Sequence, residues 1–371
     1  MTGKTVNILG IRGLPPAHGG FETFASQLAP YLRDRGWQVN VYCQLEPHGD
    51  GSVQADFEDD WHGIHRIHFE SRRPSSAGSI PFDWRSVRDA ARRGGVNLVL
   101  GYNTAVFCLY LRARGRPVVM NMDGVEWRRP KWPLHAKAWL YFNEFVGAHM
   151  ANVPVADHPE IARHLRRHGC FRAEVIPYGA DRVELASSAP VEALGLAAGN
   201  YLVSIARIEP ENSILEIVKA FSSRLRQTRL VVLGQFSADN MYHRAVQAAA
   251  SSQVVFPGPI YDKSVVEALR FHALAYLHGH QVGGTNPSLV EALGAGNAVI
   301  AHRNRFNRWV AGEEQFYFAD EAELVDILDR LDPTGVSTQV ARERSAARHA
   351  ADFTLDRVNG RYEALLERFV S

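Results

Sequence analysis

The sequence predicts an α/β protein of two doubly wound domains. Three observations carry this prediction: the length of 371 residues, the alternation of short apolar runs with longer amphipathic segments, and the occurrence of that alternation in two series. A single hydrophobic core stops growing at roughly 250–300 residues, so the length favours two domains. Strands separated by helices pair in parallel through right-handed crossovers, so each series predicts one parallel sheet covered by helices.

The first series opens with the apolar run 6–11, which is too short for a helix and is followed by a Gly- and Pro-rich loop. Apolar residues then recur at helical spacing over 21–35, and Gly36 ends that helix. The same reasoning predicts further strands at 38–43, 97–100, 117–121, 152–155 and 173–176.

The second series begins after the segment 179–199, which is rich in Ala, Ser and Gly and is predicted to link the domains. Its strands are predicted at 201–205, 230–233, 253–256, 273–277, 298–301 and 315–318. We therefore place an N-terminal domain at 1–180, a C-terminal domain at 181–352 and a final helix at 353–371 that packs back on the N-terminal domain. Ligands of such sheets bind at the carboxyl ends of the strands, so the two domains are expected to face one another across a cleft.

The composition argues against several classes of protein. A net charge of +1 provides no basic excess for nucleic acid. The three cysteines, Cys43, Cys108 and Cys170, form no CxxC pair, which argues against a disulfide framework and a structural zinc site. The apolar run near the N-terminus is only a few residues long, too short for a signal peptide, and no later apolar run reaches the 18 residues of a membrane-spanning helix, so the predicted location is the cytoplasm.

The first predicted strand runs into a Gly-rich turn, GIRGLPPAHGGFE, that opens the first helix. Its spacing does not fit the dinucleotide fingerprint GxGxxG. Backbone N–H groups at a helix start favour an anion, and His18, Gly19 and Gly20 lie there. A tight turn that needs glycine for its backbone angles explains the same residues.

Asp123 follows the predicted strand 117–121 and precedes Gly124, at the sheet edge where ligands bind. A carboxylate there can orient a hydroxyl or act as an acid or a base, and Glu126 lies on the same turn. The alternative is a helix cap or a salt bridge to the neighbouring arginines.

Arg207 follows the strand 201–205, at the corresponding edge of the second sheet. Its guanidinium can bind a phosphate with two N–H groups. An ion pair with Glu209 or Glu211 is the alternative role of this side chain.

The segment HGHQVGGTNPSLVEAL, at 278–293, carries the strongest signal. Asn286 and Pro287 suit the N-cap and first position of a helix whose backbone amides could bind a pyrophosphate. Glu291, about one turn inside, can accept hydrogen bonds from two vicinal hydroxyls, although a capping or solvated role is also possible. His278 and His280 lack a third metal ligand at suitable spacing and are interpreted as polar groups that line the cleft.

Three stretches, GGFE at 19–22, RIEPEN at 207–212 and GGTNPSLVE at 283–291, occur in an order that resembles the retaining glycosyltransferases of family 4. The bacterial rhamnosyltransferase-like members resemble the chain most, and their opening motif fits the Gly-rich turn. Further matching stretches are IPYGAD at 176–181 and PGPIYD at 257–262.

This resemblance implies a GT-B fold, that is, two Rossmann-like domains facing across a cleft, the second holding the donor and the first the acceptor. It implies that Glu291 binds the nucleotide ribose, Arg207 contacts the diphosphate, and Gly19 and Gly20 close over the leaving phosphate. The other expected donor-binding residues are Asn212, Tyr261, His280, Gly284, Thr285 and Asn286. The expected acceptor-side residues are His18, Asp123 and Glu126, and the expected catalytic residues are Asp123, Arg207 and Glu291.

Two positions depart from the family pattern. Many relatives carry two glutamates eight positions apart, and the first is Gly283 here, so the contacts to the transferred sugar must differ in a way that suits a deoxysugar. Many relatives also carry lysine where this chain has Asn212, which leaves Arg207 with less help at the diphosphate.

The function expected from the resemblance is transfer of a sugar from a nucleotide diphosphate donor to a lipid-linked or oligosaccharide acceptor, in the synthesis of a bacterial surface polysaccharide. The expected donor is dTDP-rhamnose, and the configuration is retained through front-face attack with the leaving phosphate as base. No cofactor and no divalent metal are expected, because helix dipoles and arginine offset the diphosphate charge. A nucleotide-sugar epimerase and a non-catalytic binding protein for sugar nucleotides or glycans are the alternatives.

Peripheral membrane contact is a separate hypothesis. The segments 127–139 and 161–172 place basic and aromatic residues in the more positive half of the chain, where they could rest on anionic lipid near a lipid-linked acceptor. A solvated basic helix explains the same pattern.

Overall fold

The computed structural model describes residues 3–16, 19–46, 54–71, 76–129 and 132–370. The chain forms two compact units: unit 1 comprises Met1–Pro177 and Asp356–Ser371, and unit 2 comprises Tyr178–Leu355. The chain therefore passes into unit 2 just before the segment predicted as a linker, and its last helix counts with unit 1.

Unit 1 contains an eight-stranded sheet in the order β3-β4-β2-β1-β5-β6-β7-β8. All neighbours pair in parallel except β3 and β4, which form an antiparallel hairpin at one edge. The sequence did not predict this hairpin, because β3 reads FEDDW and its acidic residues hide the alternation expected of a strand. The strands are β1 (Thr5–Leu9), β2 (Gln38–Leu45), β3 (Phe57–Trp61), β4 (Ile64–Glu70), β5 (Val96–Leu100), β6 (Val118–Asn121), β7 (Val153–Ala156) and β8 (Glu174–Val175).

Helices connect most of these strands, and their apolar faces bury against the sheet. In α1, for example, Phe24, Leu28 and Leu32 recur at helical spacing and are buried. The helices are α1 (Gly19–Arg33), α2 (Ser76–Arg93), α3 (Cys108–Ala113), α4 (Leu134–Met150) and α5 (Pro159–Arg167).

Unit 2 contains a six-stranded parallel sheet in the order β11-β10-β9-β12-β13-β14, which is the Rossmann order. Successive side chains of a strand point to opposite faces, so Leu202 and Val203 of β9 belong to different apolar clusters, one on each face of the sheet. The strands are β9 (Tyr201–Ile205), β10 (Arg229–Leu233), β11 (Val254–Gly258), β12 (Ala275–His278), β13 (Ala298–His302) and β14 (Phe316–Phe318).

Eight helices of unit 2 cover the two faces of this sheet among the residues that the structure describes. They are α6 (Ala189–Ala193), α7 (Ile214–Ser222), α8 (Met241–Ala248), α9 (Lys263–Phe271), α10 (Pro287–Gly294), α11 (Arg305–Ala311), α12 (Glu321–Arg330) and α13 (Val336–Asp352).

The last helix, α14 (Leu355–Glu367), returns to unit 1. Its Tyr362 is buried, with the ring centroid 4.8 Å from that of Phe24, and its hydroxyl accepts a hydrogen bond of 3.0 Å from Asn121 Nδ2 at the end of β6. Residues more than 200 positions apart in sequence thus share one core.

No described helix is both long enough and apolar enough to cross a membrane.

Candidate functional site

Each sheet has one point at which the strand order reverses, and ligands of doubly wound sheets bind at the carboxyl ends of the strands there. In unit 1 this point lies between β1 and β5, and in unit 2 between β9 and β12. The loops that follow β1, β9 and β12, together with the helices that these loops open, carry most of the residues that the sequence singled out.

A cavity of about 430 Å³ opens at the reversal point of unit 1. Gly10 follows β1 with a φ of +83°, and a Cβ at this position would lie 2.3 Å from the carbonyl oxygen of Leu100 in β5, so no larger residue fits. The lining includes Gly10, Arg12, Glu22, Gln44, Asp83, Gly101, Asn103, Thr104, Trp132 and Trp139.

The Gly-rich turn is closed by a side chain from the helix it opens. Glu22 Oε1 accepts a hydrogen bond of 3.0 Å from the backbone N–H of Arg12. Gly19 begins α1 with a φ of +84°, and Gly19 and Gly20 are exposed. The positive φ of Gly19 is typical of a turn that requires glycine, and the exposure of Gly19 and Gly20 leaves room for an anion. His18 lies outside the described residues.

Asp83 of α2 is a cavity residue that the sequence did not reveal. The hydroxyl of Thr104 donates to its Oδ2 at 2.8 Å, and burial raises the pKa of the carboxyl to about 7. At neutral pH this group can therefore act as a hydrogen-bond donor or as an acceptor. No motif marks it, because it stands alone in an amphipathic helix.

Two tryptophans form apolar walls of the cavity and are held by their indole N–H groups. Trp139 Nε1 donates to the carbonyl oxygen of Asn103 at 2.9 Å, and Trp132 Nε1 lies 3.4 Å from Glu126 Oε2. Flat apolar surfaces beside carboxylate and amide groups suit a ring that carries hydroxyls.

Asp123 follows β6 and has a left-handed backbone with a φ of +50°, an unusual angle for a residue other than glycine. Its backbone N–H donates to Asn121 Oδ1 at 2.9 Å, which supports that angle. Glu126 forms an ion pair of 3.0 Å with Arg129. Neither carboxylate belongs to the cavity lining, although Glu126 contacts its wall through Trp132.

In unit 2, Arg207 follows β9 and is exposed. A guanidinium nitrogen lies 3.5 Å from a carboxylate oxygen of Glu211, a weak surface pair that a phosphate could displace. Its carbonyl oxygen accepts a hydrogen bond of 2.8 Å from Asn212 Nδ2.

Asn212 joins the loops after β9 and β12. Besides its bond to Arg207, its Oδ1 lies 2.5 Å from Nδ1 of His280, and the side chain is buried. The carbonyl oxygen of His280 in turn accepts hydrogen bonds of 2.9 Å from Asn304 and Asn307. The amide that replaces the lysine of relatives therefore fixes these loops, and it brings no positive charge.

The start of α10 has the predicted cap, since Asn286 Oδ1 accepts a hydrogen bond of 3.0 Å from the N–H of Ser288. Pro287 has no N–H, and the N–H of Leu289 donates to the Asn286 carbonyl at 3.1 Å. The backbone amides of Ser288 and Leu289 are thus already hydrogen-bonded to Asn286. Thr285 is buried, and Gly284 carries a φ of +157° in the turn before the cap.

Glu291 forms an ion pair of 2.5 Å with Arg270 of α9, and the Glu291 side chain is 38% exposed while that of Arg270 is 6% exposed. Arg270 Nη2 also donates to Ser288 Oγ at 3.0 Å. The buried guanidinium therefore holds two residues of α10 from beneath and leaves the carboxylate accessible from the other side.

This network continues to the end of β9. Ser288 Oγ lies 2.6 Å from the Tyr276 hydroxyl, and both hydroxyls lie 3.1 Å from the carbonyl oxygen of Ile205. Glu291 is thereby connected to the sheet edge two residues before Arg207. The sequence revealed Glu291 but neither Arg270 nor Tyr276, because both belong to segments that read as ordinary helix and strand.

Gly283 lies against the ring of Phe306, the second residue of α11. A Cβ at Gly283 would lie 2.4 Å from two atoms of that ring. No side chain fits at Gly283 unless Phe306 moves, so the loss of the first glutamate of relatives is built into the packing.

Two further residues that the sequence singled out, Tyr261 and His278, have different environments. Tyr261 is 85% exposed and precedes Asp262, the N-cap of α9. His278 is buried at the end of β12, and burial, with the neighbouring His280, keeps its pKa well below the usual range, so the ring is neutral.

Comparisons with known proteins agree with this architecture. Residues 193–331 match the family Glycosyl transferases group 1, and residues 3–181 match a domain of unknown function, DUF1972. No curated protein matches the chain.

Solved structures that resemble the chain include a sucrose-phosphate synthase from Thermosynechococcus elongatus, with a TM-score of 0.81, 16% identity and 98% of each chain covered. An α,α-trehalose-phosphate synthase from Burkholderia vietnamiensis has a TM-score of 0.73 and 12% identity, covering 98% of this chain and 100% of that one. Anabaena Alr3699/HepE in complex with UDP has a TM-score of 0.73 and 16% identity, with the same coverage. The chain therefore has the GT-B fold, and the group 1 match over residues 193–331 supports a glycosyltransferase.

Proposed function

We propose that the protein transfers rhamnose from dTDP-rhamnose to an oligosaccharide or lipid-linked acceptor during synthesis of a bacterial surface polysaccharide, with retention of configuration and without a metal at the reaction centre. Unit 2 binds the donor and unit 1 binds the acceptor. The observation that carries the proposal is the Glu291 carboxylate, accessible on one side and fixed by Arg270 on the other.

The ribose of the donor binds to Glu291. Vicinal hydroxyls donate to a carboxylate, and a carboxylate that is already oriented loses little conformational entropy on binding. Arg270 supplies this orientation while it remains buried, so bulk water does not compete with Glu291 for the guanidinium.

The diphosphate binds to Arg207 and to the positive end of the α10 dipole. Since Asn212 contributes no charge and the first amides of α10 are in use, Arg207 carries most of the electrostatic attraction. Its exposed position and long pair with Glu211 leave it able to turn to a phosphate.

Phe306 and Gly283 favour a deoxysugar. Relatives with a glutamate at the position of Gly283 present a carboxylate to sugar hydroxyls, whereas this chain presents an aromatic ring in contact with a bare backbone. An apolar surface is compatible with a methyl group, and a hydroxyl buried against it would lack a partner.

The cavity of unit 1, with Trp132, Trp139 and Asp83, suits the acceptor sugar. In the reaction, an acceptor hydroxyl attacks C1 of rhamnose on the face from which the diphosphate leaves. The C1–O bond to phosphate breaks, the new C–O bond forms, and the hydroxyl proton passes to the departing phosphate oxygen.

Binding of the protein to an anionic membrane surface would bring it close to a lipid-linked acceptor. The exposed side chains of α4 include Leu134, Tyr141, Phe142, Phe145 and Met150. In and after α5, Arg163, Arg166, Arg167 and Arg172 are exposed beside Phe171. Apolar side chains and a basic helix are the combination that peripheral binding uses. The aromatic residues of the predicted segment 127–139 contribute less, because Trp127 and Trp132 face protein groups.

The proposal is tested by incubating the protein with a panel of nucleotide sugars, with and without oligosaccharide acceptors, and measuring the release of nucleotide diphosphate. We expect release that depends on acceptor and is fastest with dTDP-rhamnose. Conversion of the donor sugar without acceptor, followed by NMR, would instead identify an epimerase. Thermal stabilisation by a donor with no turnover under any condition would identify a binding protein.

A further inference from the structure

A second cluster of chemically versatile side chains lies in unit 1, apart from the cavity. Glu144 Oε1 of α4 lies 2.9 Å from Nε2 of His164 in α5 and 3.3 Å from Nδ1 of His168, the residue that ends α5. The three ligand atoms all lie within 4.8 Å of one another.

The cluster is largely shielded from water and its carboxylate is fixed. Only 3% of the Glu144 side chain is exposed, against 9% for His164 and 21% for His168. Trp127 Nε1 donates to the other carboxylate oxygen, Oε2, at 3.0 Å, so Oε1 remains directed at both imidazoles. The partial exposure of His168 provides a path from solvent.

We propose that Glu144, His164 and His168 form a binding site for a zinc ion. Two imidazoles and one carboxylate are the donor types that zinc prefers, whereas calcium and magnesium prefer oxygen alone. Tetrahedral bonds of about 2.0–2.1 Å separate neighbouring donor atoms by about 3.4 Å. The observed separations of 2.9 and 3.3 Å from Glu144 Oε1 are close to this value, and the two imidazole nitrogens lie within 4.8 Å of one another.

The cluster is held by hydrogen bonds in the absence of metal, and these do not conflict with a metal site. Each neutral imidazole has a second nitrogen that can carry its proton, so a change of tautomer turns a lone pair toward the centre. The ion would take the place of the two imidazole N–H hydrogens that point at Glu144 Oε1. A fourth coordination position would face solvent beside His168.

Zinc at this position would connect α4 with α5, and so stabilise the two helices that carry the exposed apolar and basic side chains. It is a structural role, since none of the three residues lines the cavity of unit 1. The lack of a CxxC pair argued against structural zinc in the sequence, but the fold assembles a cluster without cysteine from residues of two helices, with Glu144 and His164 20 positions apart.

The test uses the full chain after removal of metal with a chelator, and its readout is independent of activity. Zn²⁺ binding is measured by titration calorimetry, the geometry by the visible absorption of bound Co²⁺, and stability by Tm. The variants are Glu144→Gln, which keeps the side-chain size, and His168→Ala, at the least buried ligand. His149→Ala, on the same helix as Glu144 but outside the cluster, is the matched control.

We expect one Zn²⁺ per chain, the spectrum of four-coordinate Co²⁺ and, at 100 times Kd, a rise in Tm of about 5 °C or more in the wild type and in His149→Ala. In His168→Ala the affinity should fall at least about 10-fold. Circular dichroism establishes that each variant is folded. Failure of the wild type to bind, or equal affinity in wild type and His168→Ala, would overturn the proposal, the latter by locating zinc on other histidines.

Discussion

Arg270 and Glu291 are joined by an ion pair of 2.5 Å in which the cation is buried and the anion is accessible. The desolvation of a guanidinium is costly, and the carboxylate of Glu291 offsets that cost together with Ser288. The pair therefore gives Glu291 a fixed direction, a property that a solvated carboxylate at the same place in sequence would lack.

Removing either partner should weaken nucleotide binding. In Glu291→Ala we expect donor turnover to be abolished in a folded protein, because the ribose loses its acceptor. In Arg270→Met we expect the donor KM to rise about 10-fold or more and stability to fall by about 1–3 kcal/mol, because Glu291 is no longer directed. Arg270→Lys should recover part of the affinity.

The double variant Arg270→Met, Glu291→Gln should be less destabilised than the sum of its single changes. Arg303→Met, which alters an exposed arginine of unit 2, is the control. An unchanged donor KM in Arg270→Met would show that Glu291 binds the ribose without being oriented by Arg270. Wild-type rates in Glu291→Ala would show that Glu291 does not bind the ribose.

Arg207 should influence donor binding through its contact with the diphosphate and contribute little to stability. We expect Arg207→Ala to lower kcat/KM about 100-fold or more, with little change in Tm since the side chain is exposed. Arg207→Lys should retain part of the activity, with a stronger dependence on salt. Kinetics at two ionic strengths measure both effects, and wild-type kcat/KM in Arg207→Ala would exclude the diphosphate contact.

Gly283 and Phe306 should be energetically coupled. Gly283→Ala places a methyl group 2.4 Å from the ring atoms, so we expect a loss of about 1–3 kcal/mol in the free energy of unfolding. Phe306→Leu should lose less, and the double variant should recover part of the cost of Gly283→Ala. Denaturant unfolding measures this cycle, and additive losses would contradict the packing argument. Gly3→Ala, where no atom lies within 4 Å and the backbone is not left-handed, controls for the loss of glycine.

Asp83 should make stability depend on pH. Because burial raises the pKa of its carboxyl from 3.8 to about 7, the native state binds a proton between these values that the unfolded state has released. The free energy of unfolding therefore falls as pH rises from about 4 to 7. Because the cavity keeps the carboxyl partly solvated, we expect a fall on the order of 2 kcal/mol rather than the full value of the pKa shift.

Asp83→Asn should flatten this dependence and be more stable than wild type at pH 8, as measured by urea unfolding across the range. Asp34→Asn, at the exposed end of α1, should leave the profile unchanged. If wild type and Asp83→Asn have parallel profiles, the carboxyl is ionised throughout. Acceptor KM should vary with pH only where Asp83 is present.

The exposed side chains of α4 should bind anionic vesicles. We expect Phe142→Ser with Phe145→Ser to reduce co-sedimentation with such vesicles, and high salt to reduce it in the wild type. Leu225→Ser, which removes an even more exposed apolar residue of unit 2, should have no effect. A wild type that stays in the supernatant at low salt would exclude the membrane hypothesis.

Local patterns predicted much of the fold. The apolar runs that became β9, β12 and β13 are flanked by turn residues, and Asn286 and Pro287 began a helix where their chemistry places one. The hairpin of β3 and β4 was missed because a charged edge strand has no apolar signature.

The sequence singled out Glu291 and Arg207 through motifs that resemble those of a known family, and their roles stay predictions. It gave no indication of residues whose environment depends on tertiary packing. Arg270 is one arginine in an amphipathic helix until the fold brings α9 beneath α10, and Asp83 is ordinary until burial changes its pKa. The departure at Gly283 was visible in the sequence, but its partner Phe306 lies 23 positions away and only the fold identifies it.

The placement of Tyr362 against Phe24 and Asn121 has a consequence for biosynthesis. The ribosome must translate all of unit 2 before α14 exists, so the sheet of unit 1 emerges first yet waits for α14 until unit 2 has been made. Unit 2, by contrast, is a continuous stretch and can complete its core while the nascent chain is still attached. A stop codon after position 355 would therefore damage the half of the protein that was made first.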